Sequence, residues 1–217
     1  MTALCTDRDI LAVEPLVYLS GTAPVQALAA GDDGQIAATS FTSPGSDFAA
    51  CGAAIGMVLV ATTGSGAPPR AMEVVSVDGA TALTVSVLRA DASADPVPPT
   101  PGQDLSFELR TYAAQIAGVS IALTETLRTA GEADAIAVAD FADSVQLART
   151  CTLGVLADVF TARAENAAAD DANWIKATHY RRAFAAAQVQ LRLVVDADAD
   201  GQAESQRTLG NVTLRRT

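Results

Sequence analysis

The run Asp196-Ala-Asp198-Ala-Asp200-Gly201-Gln202-Ala-Glu204 is the part of the chain closest to a known chemistry. Alternate carboxylates followed by glycine match the first half of an EF-hand-like calcium loop, in which oxygens at positions one, three and five turn inward and glycine permits the sharp bend. In that reading Asp196, Asp198, Asp200 and Glu204 are the calcium candidates, Gln202 adds a backbone carbonyl, and Glu204 acts through a water. Position twelve is Arg207 where the complete motif needs a bidentate glutamate, and the flanking segments have strand character rather than the usual helices. The competing reading, which those departures favour, is a solvated acidic hairpin tip whose glycine sets the turn.

Nucleophilic chemistry has little to work with. His179 is the only histidine, so any Ser-His-Asp or Cys-His mechanism would run through it. It stands among cationic neighbours in Lys176-Ala-Thr-His-Tyr-Arg-Arg182, a helical segment, and no nucleophile-elbow pattern accompanies it. A surface or packing role is expected, no catalytic residue is assigned, and the chain is read as a non-enzyme. Cys5, Cys51 and Cys151 lie far apart without CxxC spacing, which indicates neither a zinc knuckle nor a redox pair, and their odd number argues against a secreted disulfide scaffold. All three are expected to be buried thiols. Gly64-Ser-Gly-Ala-Pro-Pro-Arg70 lacks GxxxxGK[ST] and opens no helix, so it reads as a loop between strands rather than a phosphate cradle. Arginines gather toward the C-terminal end, at Arg181, Arg182, Arg192, Arg207, Arg215 and Arg216. Of these, Arg192, Arg207, Arg215 and Arg216 are the partner-docking candidates, because a planar guanidinium makes bidentate contacts to acidic groups that lysine cannot.

The elements that must position these residues change period along the chain. Residues 1–20 hold an N-terminal helix and an extended segment. Thr6-Asp-Arg-Asp9 has the form of a capping box, the helix must stop near Glu14 ahead of Pro15, and Leu16 to Leu19 reads as extended. Residues 21–110 form a β-rich domain. Ile36 to Phe41, Met57 to Thr62, Met72 to Val77, Leu83 to Leu88 and Leu105 to Leu109 are short strands separated by Gly, Pro, Asp and Ser clusters, which together predict a small antiparallel barrel or sandwich. The proline-rich stretch from Asp91 to Gln103 is a connection.

Residues 111–189 read as a helical bundle. Ile116, Val119, Leu123 and Leu127 share one face of the first helix. Phe141, Val145, Ala148, Thr152, Val155 or Leu156, and Val159 mark the second, with Gly154 at a close contact or bend. The third is capped by Asp170 or Asp171 and carries Trp174, Ala177, Tyr180, Phe184, Ala187 and Leu191. Residues 190–217 form a C-terminal β-hairpin or arm. The predicted class is thus α+β, a barrel or sandwich ahead of a three-helix bundle with a terminal hairpin.

Composition narrows the function further. Acids outnumber bases by 25 to 14 in 217 residues, a formal charge of −11, and clustered cations able to wrap nucleic acid are lacking. Half of the residues are hydrophobic but only 5% are aromatic, so the core is built from small and branched side chains. Charges in the first nine residues and the absence of an apolar run near ~20 residues long suggest a soluble, intracellular chain with no membrane partner.

The order of these parts resembles that of head-to-tail adaptor (connector) proteins of tailed bacteriophages. The residues that carry the likeness are Thr6-Asp-Arg-Asp-Ile-Leu-Ala-Val-Glu-Pro15, the β-rich insertion around Ser46-Asp-Phe-Ala-Ala-Cys-Gly52, and the helix ending Tyr180-Arg-Arg-Ala-Phe184. The acidic turn Asp196-Ala-Asp-Ala-Asp-Gly201 with Asn211-Val-Thr-Leu-Arg-Arg216 completes it. The resemblance implies a structural neck protein of the virion, assembled in the host bacterial cytoplasm. Its partners would be copies of itself in a ring, commonly a dodecamer, the portal protein, and downstream neck or tail proteins, with genomic DNA passing through the lumen without specific binding. The arm at 190–217 would reach the portal, and the implied role needs no cofactor. The β-rich segment departs from the simplest adaptors and leaves a stopper or other neck component open. The other function the residues allow is a calcium-dependent binding module built on Asp196 to Glu204.

Overall fold

The computed structural model describes residues 3–20, 24–63, 68–129, 144–165, 171–195 and 205–208. The chain is mixed α/β and divides into two compact units, Thr6–Ala113 and Met1–Cys5 with Ala114–Thr217.

The first unit opens with helix α1 (Asp7–Val13). The Asp9 carboxylate accepts from the Thr6 backbone N–H at 2.8 Å and from the Thr6 hydroxyl at 2.9 Å, so the capping residues act as their spacing predicts. The helix ends at Val13, two residues before Pro15. Leu16 to Leu19, expected to be extended, is instead a helical turn, α2 (Leu16–Leu19). Pro15 stops α1 and starts α2: its backbone is already helical, with φ −57° and ψ −34°, and a proline at a helix start forfeits no hydrogen bond.

Six strands follow, β1 (Gln26–Ala37), β2 (Ser40–Thr42), β3 (Val58–Thr63), β4 (Arg70–Val77), β5 (Ala82–Ser86) and β6 (Gly102–Thr111). They pair antiparallel in the order β1-β2-β5-β4-β3-β6 and close into a barrel, which removes free edges. Alternation does the sorting. Leu105, Phe107 and Leu109 of β6, Leu83 and Val85 of β5, and Met72 and Val74 of β4 all turn inward. Phe41, Phe48 and Phe107 meet at the centre, with the Phe41 and Phe107 rings edge to face at 4.9 Å.

Ile36 to Phe41 was expected to be one strand but contains a chain reversal. Ile36 pairs with Phe41 and Ala37 with Ser40 around a two-residue turn, in which Ala38 takes φ +53° without the usual Gly or Asn. The long β1 before that turn crosses the aromatic cluster through Gly31 and Gly34. A Cβ at Gly31 would lie 2.8 Å from the Phe107 ring, and one at Gly34 would lie 2.9 Å from both the Phe41 ring and the Leu105 carbonyl.

The second unit contains α3 (Ala113–Thr129), α4 (Ser144–Arg163) and α5 (Ala172–Gln190), followed by β7 (Arg192–Val195) paired antiparallel with β8 (Ser205–Thr208). Ile116, Val119 and Leu123 are buried on α3, and Cys151, Val155, Leu156 and Val159 on α4. Asp171 caps α5 by accepting from the Asn173 N–H at 2.7 Å. Gly154 marks a close contact on α4: a Cβ there would lie 2.7 Å from Val119 of α3 and 2.9 Å from Phe184 of α5. Two expected stripe residues face outward, Val145 at 74% exposure and Trp174 at 40%. Leu147 takes the inward position on α4, and on α5 the buried face begins at Ala177, the next residue of the expected stripe. Phe141 lies outside the described residues. Among the described residues, no helix is long and apolar enough to cross a membrane.

Candidate functional site

The densest polar constellation is one the sequence does not announce. Glu73 follows Met72 and precedes Val74, both in the barrel core, so strand alternation turns its side chain to the barrel's outer face. It is nevertheless fully buried. Arg8 of α1 reaches it through Nε at 2.6 Å, and Arg89, just beyond β5, reaches it with Nε at 2.6 Å and its backbone N–H at 2.9 Å. The spare guanidinium nitrogens are also bound: Arg8 donates to the Arg89 carbonyl at 2.6 Å, and Arg89 to the Ala94 carbonyl at 2.6 Å. A buried carboxylate and guanidinium, Glu73 and Arg89, with the half-buried Arg8 beside them, require this degree of saturation. The Arg8 N–H also donates to the Gly56 carbonyl at 2.7 Å, so α1 is held against the barrel by both side chain and backbone.

One residue earlier, Asp7 is also buried. Its Oδ1 accepts from the Tyr18 hydroxyl and the Tyr112 N–H, each at 2.7 Å, and its Oδ2 accepts from the Thr111 hydroxyl at 2.6 Å. Burial raises its pKa above the usual carboxylate value, although all three hydrogen bonds pull the other way. The Tyr18 and Tyr112 rings pack edge to face at 5.1 Å, and the Tyr112 hydroxyl donates to the Val17 carbonyl at 3.1 Å. Asp7 thereby ties α1, α2 and the end of β6 together.

An open groove of 540 Å³ runs along the outside of this unit, between Leu19, β1, β3 and β6. Asp32, Glu108 and Arg110 supply its charge. Arg110 is engaged with the Glu108 carboxylate at 2.8 Å and with the Tyr18 carbonyl. Among the described residues, the lining holds no histidine or cysteine and no basic residue besides Arg110.

The residues singled out from sequence do not converge. His179 is exposed on α5, with its ring edge to face on Tyr180 at 5.1 Å. Cys5 and Cys151 are buried, as expected, but Cys51 is only half-buried because it lies in the loop after β2, where its thiol donates to the Phe48 carbonyl at 3.4 Å. Asp196, Asp198, Asp200, Glu204, Arg215 and Arg216 lie outside the described residues, as do residues 64–67 of the glycine-rich segment. Arg192 stands on β7 and Arg207 on β8. Among the described residues, no group of three His, Cys, Asp or Glu side chains is arranged to hold a metal ion.

The one signal in the sequence for this cluster is an acid between two apolar residues, at Met72-Glu73-Val74; Arg8 and Arg89 give none. No protein family, curated protein or solved structure matches this chain.

Proposed function

We propose that this chain is a structural neck protein of a tailed-bacteriophage particle: a head-to-tail adaptor that forms a ring between the portal and downstream tail or stopper components and guides DNA without catalysis. The observation that carries the reading is the fate of the buried and half-buried charges around α1. Asp7, Arg8, Glu73 and Arg89 are all consumed in hydrogen bonds that hold helix to barrel, which leaves faces rather than a reactive pocket as the means of acting on other molecules.

Three further features support it. The closed barrel offers no strand edge for pairing, so the barrel unit meets partners through other surfaces. Helix α5 offers an exposed face, with Ile175 at 59% and Val189 at 63% exposure beside the exposed Arg181 and Arg182 and no acidic residue along its length. A net charge of −11 also suits a conduit, since an acidic wall repels phosphate and lets a duplex slide. In this reading the arm at 190–217, with Arg192, Arg207, Arg215 and Arg216, docks on the portal.

The test is native mass spectrometry and negative-stain imaging of the full chain, alone and mixed with its cognate portal. Rings or portal-bound copies are expected. Monomers under both conditions would sink the proposal.

Calcium-dependent binding through residues 196–204 is the other reading. Those residues connect two strands that pair antiparallel, a frame unlike helix-loop-helix. A calcium titration that gives heat and a melting shift, both abolished by Asp198→Ala with Asp200→Ala, would establish it in place of the solvated turn.

A further inference from the structure

We propose that Cys5 and Cys151 form an oxidation site, a thiol pair that closes to an intrachain disulfide when hydrogen peroxide reaches it. The two Sγ atoms are 3.0 Å apart, closer than ordinary van der Waals contact between sulfurs, although 146 positions separate them in sequence. Both belong to the same compact unit. Forming a bond of about 2.05 Å requires the sulfurs to approach by roughly 1 Å, within the reach of a side-chain adjustment.

The pair is held from both sides by one hydroxyl. Ser120 Oγ on α3 accepts from the Leu4 N–H at 3.1 Å, next to Cys5, and lies 3.5 Å from the Cys151 sulfur. Cys151 sits in the middle of α4 and is fully buried, while Cys5 is 3% exposed. A small neutral oxidant suits such a site better than a bulky one.

The chemistry balances. One thiol ionises, and its thiolate attacks a peroxide oxygen. The O–O bond breaks, giving a sulfenic acid and a hydroxide that takes up the released proton as water. The second thiolate then attacks the sulfenic sulfur, the S–S bond forms, and hydroxide leaves to become a second water. In sum, two thiols and one peroxide yield one disulfide and two waters, with two electrons passing from sulfur to oxygen. A partner sulfur already in contact intercepts the sulfenic acid before further oxidation. In a glutathione-rich cytoplasm the pair stays reduced. This inference does not depend on the adaptor reading.

The test treats the full chain with hydrogen peroxide, then denatures, alkylates and digests it for mass spectrometry. The expected result is a peptide pair joined through Cys5 and Cys151, lighter by two hydrogens and separated by dithiothreitol, with two of the three thiols lost to alkylation. In Cys51→Ser the same link is expected to form and to raise the melting temperature by several degrees. Recovery of Cys5 and Cys151 as alkylated thiols, as separate sulfinic acids, or linked to Cys51 would overturn the proposal.

Discussion

The two units bury polar groups by opposite means. In the barrel unit the buried polar atoms are bound over long sequence distances, Arg8 to Glu73 across 65 positions and Thr111 to Asp7 across 104. In the helical unit, among the described residues, the buried threonine hydroxyls are satisfied within their own helix. Thr150 donates to the Gln146 carbonyl at 2.8 Å and Thr152 to the Ala148 carbonyl at 2.9 Å, each four residues back. The apolar packing differs in the same sense: three phenylalanines fill the barrel, whereas the helices approach through Gly154. Polar bonds in the first unit therefore specify which elements meet. In the second, with Ser120 and its bond to the Leu4 N–H as the exception, they make the helices fit to be buried, and shape decides the rest.

That contrast predicts a ranking. Glu73→Ala should have the largest effect, about 3–5 kcal/mol in urea unfolding, because it strands the buried Arg89 guanidinium and takes the partner of the half-buried Arg8. A loss under about 1 kcal/mol, the range of exposed pairs, would erase the distinction.

Asp7→Ala comes next, at about 3 kcal/mol, since three donors lose their acceptor. Asp7→Asn should cost less, because Oδ1 can keep two bonds while the amide donates to the Thr111 hydroxyl. Its pH dependence sharpens the assignment. The folded-state pKa of Asp7 is raised by burial, so between the ordinary carboxylate value and the raised one the folded chain binds more protons than the unfolded chain. The contribution of Asp7 to stability therefore falls as pH rises through that window and recovers as pH is lowered. Unfolding curves compared between wild type and Asp7→Asn should differ by this slope. Identical slopes would mean that Asp7 does not titrate differently on folding.

Gly154→Ala should follow, at about 1–3 kcal/mol, despite alanine's better helix propensity, because the new methyl overlaps Val119 and Phe184. A stabilised variant would show that the helices can separate at no cost. Thr152→Val should have the smallest effect, about 0.5 kcal/mol or less by thermal melting, since the hydroxyl it removes serves only its own helix. A loss as large as that of Asp7→Ala would show that both units depend on specific polar bonds after all.

The parts legible in the sequence are those where neighbouring residues suffice. Strand β6 alternates large aliphatics and a phenylalanine, the cap of α1 is complete in four residues, and Asp171 stands directly before α5. What was hidden depends on partners remote in sequence. Gln26 to Gly34 of β1 has no β-branched residue, and it is extended because its glycines leave room for Phe107 and Phe41. The Ala38 reversal lacks a turn residue and is imposed by pairing on both sides. Of the face the sequence predicts on α5, Ala177 and Tyr180 do turn inward, but the indole of Trp174 at its start is left 40% exposed. The cluster around Glu73 was the least visible. Arg8 and Arg89 each look like ordinary surface charge until the fold brings Glu73 between them.

The chain leaves the helical unit after Cys5 and rejoins it at Ala114, and the stretch between starts and finishes at one point, where the Asp7 carboxylate takes the Tyr112 N–H at 2.7 Å. The barrel is therefore a cassette clasped at its own ends. A single exchange of coding sequence could add, remove or replace it while the short N-terminal segment before the splice and helices α3, α4 and α5 after it keep their reading frame, a route by which related lineages would come to differ by a whole module rather than by scattered substitutions.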